Sequence, residues 1–256
     1  MRVYVALAAA GIVALSTPAG AQVVRRAPST PGDRIRLTLN GGEQSSAAPL
    51  KETQTFQQYF EQGTLTLERK VTNRPFFDGG GAFRIVKQLH VGVSFSSFKD
   101  TRSGTLTAEV PNPLRFTQPR TTTGTVSGVE RKENAVHIEL SWRVKAAGGL
   151  ELMPFAGPSF FQTEQGLVTK LNLTLANEVY PYDTLAFPSV STETIKDKVN
   201  GYNAGVDMAW MFSRHIGLGA LIRYSHGTKD FTPTGGQAVK IEVGGLHAGG
   251  GLRVVF

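Results

Sequence analysis

The sequence predicts an all-β protein, an antiparallel up-and-down transmembrane β-barrel of eight strands, with ten as the alternative count. Three observations carry that prediction. Hydrophobic residues recur with a period of two along most of the chain. Short and long connections alternate strictly between the periodic segments. The second face of the strands holds glycine, serine, alanine, histidine, arginine and two acids, but no lysine.

The first 32 residues stand apart from the fold. Arg2 gives a positive start, and Val3 to Leu15 is an apolar run too short to cross a bilayer as a helix. Pro18 breaks it, and Ala19-Gly20-Ala21 has the small residues of a signal-peptidase site. The expected division is a signal peptide over 1–21, a flexible lead-in over 22–32 and the barrel over 33–256. No later stretch is long and apolar enough for a transmembrane helix. The chain has no cysteine, which excludes a disulfide framework, a thiolate metal site and a cysteine nucleophile.

Each strand is read from alternation. Ile35, Leu37 and Leu39 alternate with Arg36, Thr38 and Asn40. The glycine-rich segment Phe77 to Ile85 sets Phe83 and Ile85 against Arg84. Leu89, Val91, Val93 and Phe95 alternate with His90, Gly92 and Ser94. Val136, Ile138, Leu140, Trp142 and Val144 alternate with His137, Glu139, Ser141 and Arg143. Leu150 to Phe161 is apolar but contains Pro154 and Pro158; proline removes a ladder donor, so a bulge or an early end is expected there. Tyr202 to Phe212 presents Val206, Met208 and Trp210 on one face and Asp207 on the other. Ile216 to Tyr224 pairs its apolar face with Gly217, Gly219 and Arg223. Leu246 to Phe256 carries His247 and Arg253 on its second face.

The connections then fall into two classes. Val86-Lys87-Gln88, Lys145 to Gly149 and Ser213-Arg214-His215 are short. The segments 41–76, 99–133, 162–201 and 227–245 are long. Outer-membrane barrels combine short periplasmic turns with long outer loops in this way. Within the first long segment, Gln54 to Phe60 and Thr64 to Val71 read as a hairpin across Glu61-Gln62-Gly63, extending beyond the membrane. Counting that hairpin as part of the wall gives the ten-stranded alternative.

Alternation alone does not say whether the apolar face points in or out. The missing lysine decides. All 11 lysines fall outside the strand cores. A solvated outer face would carry this residue, whereas a narrow lumen takes small residues and paired charges. The predicted lumen network is Arg36, Arg84, Arg143, Arg223 and Arg253 facing Glu139 and Asp207, with His90, His137 and His247 between them. An unpaired buried charge costs several kcal/mol, so each is expected to have a partner. Trp142, Trp210, Phe212, Tyr224 and Phe256 lie near the ends of the apolar faces, where aromatic rings settle at a membrane–water boundary.

Val254-Val255-Phe256 at the end of a strand resembles the C-terminal signal read by the assembly machinery of bacterial outer-membrane barrels. The strand Leu89-His90-Val91-Gly92-Val93-Ser94-Phe95 after a short turn is similar to OmpA-type outer-membrane barrel domains, as are Gly157-Pro158-Ser159-Phe160-Phe161 and Tyr180-Pro181-Tyr182-Asp183. The resemblance covers nearly all of the mature chain. It implies residence in the bacterial outer membrane, contact with its lipid and lipopolysaccharide, and assembly through the terminal strand at Phe256. It implies no activity.

The sequence offers little catalytic chemistry. Ser225-His226 is the nearest approach to a hydrolase pair, but neighbours on a strand point to opposite faces, so the two diverge. Inward His90, His137 and His247 fit hydrogen-bonded filling better than a metal site. No phosphate loop, zinc-protease helix or calcium loop is present, and no basic-aromatic run suggests nucleic acid. No enzyme and no cofactor are expected. Lys70, Lys99, Arg131, Lys132, Lys196, Lys198 and Lys229 lie in or near the outer loops, where lipopolysaccharide phosphates would attract them. An eight-stranded barrel has room for little more than its own side chains. A plugged lumen with a structural or surface role is therefore the main expectation, a narrow pore or solute conduit the alternative, and a lipid A-modifying enzyme the third reading.

Overall fold

A pleated strand sends successive side chains to opposite faces, and a sheet whose edges meet leaves no unpaired backbone. Both rules are realised in the computed structural model of the chain. It describes residues 34–45, 50–69, 73–101, 103–127, 129–172, 180, 182, 185, 189–231 and 239–256. The expected signal peptide and lead-in lie outside the described residues.

Eight strands close a ring: β1 (Ile35–Gln44), β4 (Arg74–Val86), β5 (Leu89–Asp100), β8 (Arg131–Trp142), β10 (Leu150–Asn172), β11 (Ser189–Met211), β12 (Ile216–Phe231) and β13 (Val239–Val255). Each pairs antiparallel with the next in the chain, and β13 returns to β1 from Arg36↔Val255 to Gln44↔His247. A two-residue strand, β9 (Val144–Lys145), continues β8 past Arg143. The barrel therefore has eight strands, not ten.

The remaining strands form a second sheet from the first two long connections. β2 (Leu50–Gln58) and β3 (Glu61–Arg69) lie between β1 and β4; β6 (Gly104–Val110) and β7 (Arg120–Val126) lie between β5 and β8. Their order is β2-β3-β6-β7. One face of this loop sheet buries Leu65, Leu67, Leu106, Ala108, Val110, Val126 and Val129, with Phe56 and Leu185 packed against them. Arg69 ties the sheet to the barrel rim, donating to Val129 O at 2.7 Å and bridging the Asp100 carboxylate at 2.8 Å.

Four details differ from the sequence reading. The β2–β3 turn is Tyr59-Phe60, not Glu61-Gln62-Gly63, because Gln58 pairs with Glu61. Gly63 sits in β3 to make room for a ring: a Cβ there would fall 2.4 Å from the Phe56 ring. The segment 99–133 holds two strands rather than loop alone, since threonines alternate there with only a few apolar residues. The described residues of 162–201 and 227–245 are nearly all strand: β10 and β11 run for 23 residues each, about twice what a tilted strand needs to cross a bilayer, and β12 and β13 extend through Phe231 and from Val239.

The fourth concerns the prolines. Register along β10 and β11 runs unbroken through Pro154↔Val206 and Pro158↔Tyr202, and its one shift lies between Val168 and Lys170. The cost falls on the other neighbour. The β10–β8 ladder skips from Ala156↔Leu140 to Ser159↔His137, and β8 and β9 separate at Arg143, across from the Pro154 region. Both prolines aim their missing N–H at β8 and their rings outward.

Candidate functional site

The interior of the barrel is where the fold concentrates its chemistry. Toward the short-turn end, Arg36 on β1 donates to Glu151 Oε2 at 2.7 Å and lies 3.6 Å from Asp207 Oδ1. Arg253 on β13 holds Asp207 in a fork, Nε to Oδ1 at 3.1 Å and Nη2 to Oδ2 at 2.6 Å. Arg143 stands 3.9 Å from the other Glu151 oxygen. A planar guanidinium suits such two-point contacts with carboxylates.

One layer further along, Arg223 on β12 spans the lumen. It reaches Asp78 Oδ2 at 2.6 Å, Glu139 Oε1 at 2.7 Å and Ser94 Oγ at 2.8 Å, with the Phe155 ring 5.4 Å from its guanidinium carbon. Asn40 Nδ2 donates to Asp78 Oδ1 at 2.9 Å, and the Ser94 hydroxyl donates to Glu139 at 2.7 Å. Arg36, Arg143, Arg223 and Arg253 thus meet Asp78, Glu139, Glu151 and Asp207, four against four. A cavity of about 40 Å³ remains beside Arg36, Asp78, Glu139, Asp207 and Arg223, enough for a water or two.

The next layer is built from histidine, serine and asparagine. His137 is hydrogen-bonded to the Ser96 hydroxyl at 3.0 Å and to the Ser159 hydroxyl at 2.7 Å. His247 is hydrogen-bonded to Ser225 at 2.9 Å, and its ring meets that of His137 edge-on at 6.4 Å. Asn203 Nδ2 donates to Ser159 Oγ at 2.9 Å. Beyond them Ala135, Phe161, Leu167, Val199, Ile241 and Val243 form an apolar layer across the interior. Arg131 and Glu133 pair at its edge, and Glu133 also accepts from Gly244 N at 3.0 Å. From one end to the other, the lumen is filled by ion pairs, then histidines and serines, then hydrocarbon.

Of the ten residues expected in the lumen network, Arg36, Glu139, Arg143, Asp207, Arg223 and Arg253 share ion pairs. His137 and His247 join the layer of histidines and serines instead. Arg84 and His90 stand at the short-turn mouth, opposite each other in the ladder, and His90 Nδ1 is hydrogen-bonded to Gln88 O at 2.9 Å. Among the described residues no group of three His, Asp or Glu is placed to hold a metal ion. Sequence reasoning missed Asp78 and Glu151, which balance the arginines. Asp78 sits in a glycine run with little alternation, and Glu151 in the proline-bearing strand whose faces could not be assigned. The odd–even rule applied outward from Arg84 would have found Asp78.

The outer face is the complement. Ile35, Leu37, Val93, Leu140, Leu218 and Leu252 are each about half exposed among the described residues. Trp142, Trp210, Phe212 and Phe256 project outward near the short-turn end. Tyr224 also projects outward, but high on β12, where His226 stacks on it with ring centroids 6.2 Å apart. Phe256 closes the ring: its N–H donates to Ile35 O at 2.8 Å, and its carbonyl accepts from Arg34 N at 2.7 Å. Ser225 and His226 diverge, Ser225 into the lumen and His226 to the outer face. Every lysine whose side chain is described is exposed.

No protein-family model and no curated protein matches the chain. Among solved structures it is similar to the outer membrane protein OprG from Pseudomonas aeruginosa, at 7% identity, over 88% of this chain and 97% of that chain, with a TM-score of 0.48. It is similar to the outer membrane protease OmpT from Escherichia coli at 10% identity, over 90% and 99% of the two chains, with a TM-score of 0.46. Neisserial surface protein A is similar at 12% identity, over 87% and 97%, with a TM-score of 0.43. The assignment itself stands on the closed ring and on its two faces. An apolar outer belt around a charged, packed interior is the reverse of the arrangement in a water-soluble barrel. The chain is a closed antiparallel β-barrel of eight strands with a polar interior and an apolar outer face.

Proposed function

We propose that this protein is an integral barrel of the bacterial outer membrane with a plugged lumen. Its work is done by the structure it presents at the cell surface, not by passage of solutes or by catalysis. The observation that carries this reading is the layered filling of the interior. Arg223 and Arg253 are buried in ion pairs, and the apolar layer around Phe161 lies between them and the long-loop end. A conduit would need to break both.

The second support is the loop sheet. Two outer loops fold together over a hydrophobic core of their own. Long loops with no role tolerate disorder; these hold a shaped surface, which suits adhesion or envelope integrity. The divergence of Ser225 and His226 supports a non-catalytic reading. The terminal strand, ending at Phe256 against Ile35, is the natural contact for the barrel-assembly machinery.

Two measurements test the proposal. Cell fractionation with gel mobility before and after boiling is expected to place a heat-modifiable protein in the outer membrane. Planar-bilayer recording is expected to show no reproducible conductance steps. Stable steps would overturn the plugged reading, and recovery as a detergent-free soluble protein would overturn the barrel reading.

A further inference from the structure

The outward face of β5, β8, β10 and β11 changes character in three successive rows. The lowest row is Phe95↔Val136↔Phe160↔Asn200, mostly apolar. The next is Ser97↔Asn134↔Gln162↔Lys198, with the Ser97 hydroxyl donating to Asn134 Oδ1 at 2.9 Å. The third is Lys99↔Lys132↔Glu164↔Lys196. Rows two residues apart along a strand are separated by about 7 Å. The lysines therefore lie just above the apolar belt, at the depth of lipid headgroups.

The charges there do not balance. Lys99 lies 3.7 Å from Glu130, and Lys196 lies 3.1 Å from Glu164. Among the described residues, four lysines, Lys99, Lys132, Lys196 and Lys198, thus share two carboxylates, Glu130 and Glu164, on one patch. Lys99 and Lys132 are direct cross-strand partners, and like charges so placed repel. An anion seated between the ammonium groups would relieve that repulsion. The other basic residues near the outer loops do not join this patch. Arg131 turns inward to Glu133, and Lys229 is held by Asp197 at 2.7 Å.

We propose that this patch binds the phosphate groups of an outer-leaflet glycolipid. The site rests on the membrane reading above and names its lipid contact: long aliphatic lysine stems lie along the apolar row while the ammonium groups meet phosphate. Ammonium groups on flexible stems suit a phosphate whose position varies with the lipid around it.

The test uses the full barrel folded into vesicles of neutral phospholipid containing a small fraction of bisphosphorylated lipid A, or the same glycolipid with its phosphates removed. Binding is read by co-purification after detergent extraction. The native protein is expected to retain the phosphorylated form at least tenfold over the dephosphorylated form. That preference should fall at least fivefold in 1 M salt, where charges are screened within about 3 Å. K99Q/K132Q/K196Q/K198Q should abolish the preference while keeping heat-modifiability. Inorganic phosphate at millimolar concentration should not compete, since it lacks the acyl chains that hold the headgroup at this depth; full competition by it would make the site a free-anion site and overturn the lipid assignment. Equal retention of the two glycolipids by natively inserted protein overturns the site while leaving the barrel reading intact. Failure of the native chain to insert at all counts against the membrane reading instead. If the quadruple variant does not fold, K99Q/K132Q and the native comparison still decide.

Discussion

Arg223 and Asp78 meet at 2.6 Å across the barrel interior, 145 residues apart in the chain and on strands β12 and β4 that are not neighbours in the ring. Both side chains are almost fully buried. Removing one partner leaves a charge in a space that water barely enters. Asp78→Ala is expected to destabilise the barrel by about 3–5 kcal/mol, in line with broken buried ion pairs. The Asp78→Leu/Arg223→Met double variant should lose less than the sum of the two single losses. Urea unfolding in lipid vesicles, followed by loss of the fast-migrating unboiled band, measures each.

Asp207 offers a second case with a built-in control. It receives the fork from Arg253 and a longer contact from Arg36. Asp207→Ala therefore strands the Arg253 guanidinium, while Arg36 keeps Glu151, and should again cost about 3–5 kcal/mol. Asp197 makes a contact of similar length with Lys229, but at the exposed outer end. Asp197→Ala is expected to leave the urea midpoint unchanged, since solvent replaces the lost contact.

Closure of the ring depends on backbone proximity between β13 and β1. A Cβ at Gly251 would fall 1.7 Å from Leu39 O, whereas one at Gly41 meets nothing within 4 Å. Gly251→Val should sharply reduce the yield of heat-modifiable barrel. Gly41→Val, on the same seam, should fold normally. Similar yields for the two would show that the seam can move apart without cost.

The loop sheet is predicted to be separable in stability from the barrel. Leu106 is fully buried at its centre. Leu106→Ala should destabilise that sheet by about 2–5 kcal/mol, the range for emptying a packed leucine site. Limited proteolysis of intact cells is expected to cut the variant within the first two long loops. The protected barrel should keep its gel shift.

Phe256 makes the last backbone contacts of the ring and leaves its side chain on the outer face. Phe256→Ser keeps those backbone contacts. It is expected to insert more slowly in cells while reaching normal stability once purified and refolded. A variant that assembles at the native rate in cells would remove Phe256 from any assembly role.

Much of this is legible in the sequence. The odd–even pattern at Arg36, Glu139, Arg143, Asp207, Arg223 and Arg253 placed six charges on one face, and the absence of lysine there told that face to be the lumen. The short turns after Ile85, Val144 and Phe212 set the topology, because antiparallel neighbours joined by so few residues have no other way to pair. The local rule failed where alternation was diluted. Gly79, Gly80 and Gly81 hid the face of Asp78, Pro154 and Pro158 hid that of Glu151, and threonine-rich 104–126 looked like loop.

By itself, then, the sequence determined the strand period, the succession of the eight wall strands and which face turns outward, since each follows from residues adjacent in the chain. Only the tertiary structure decided which arginine meets which carboxylate, that His137 and His247 bind serines instead of acids, and that two outer loops share one core. Those depend on ring closure and on the stagger between strands, which bring together groups such as Arg36 and Glu151, 115 residues apart. Partner choice across a lumen is a property of the closed cylinder, and no single strand contains it.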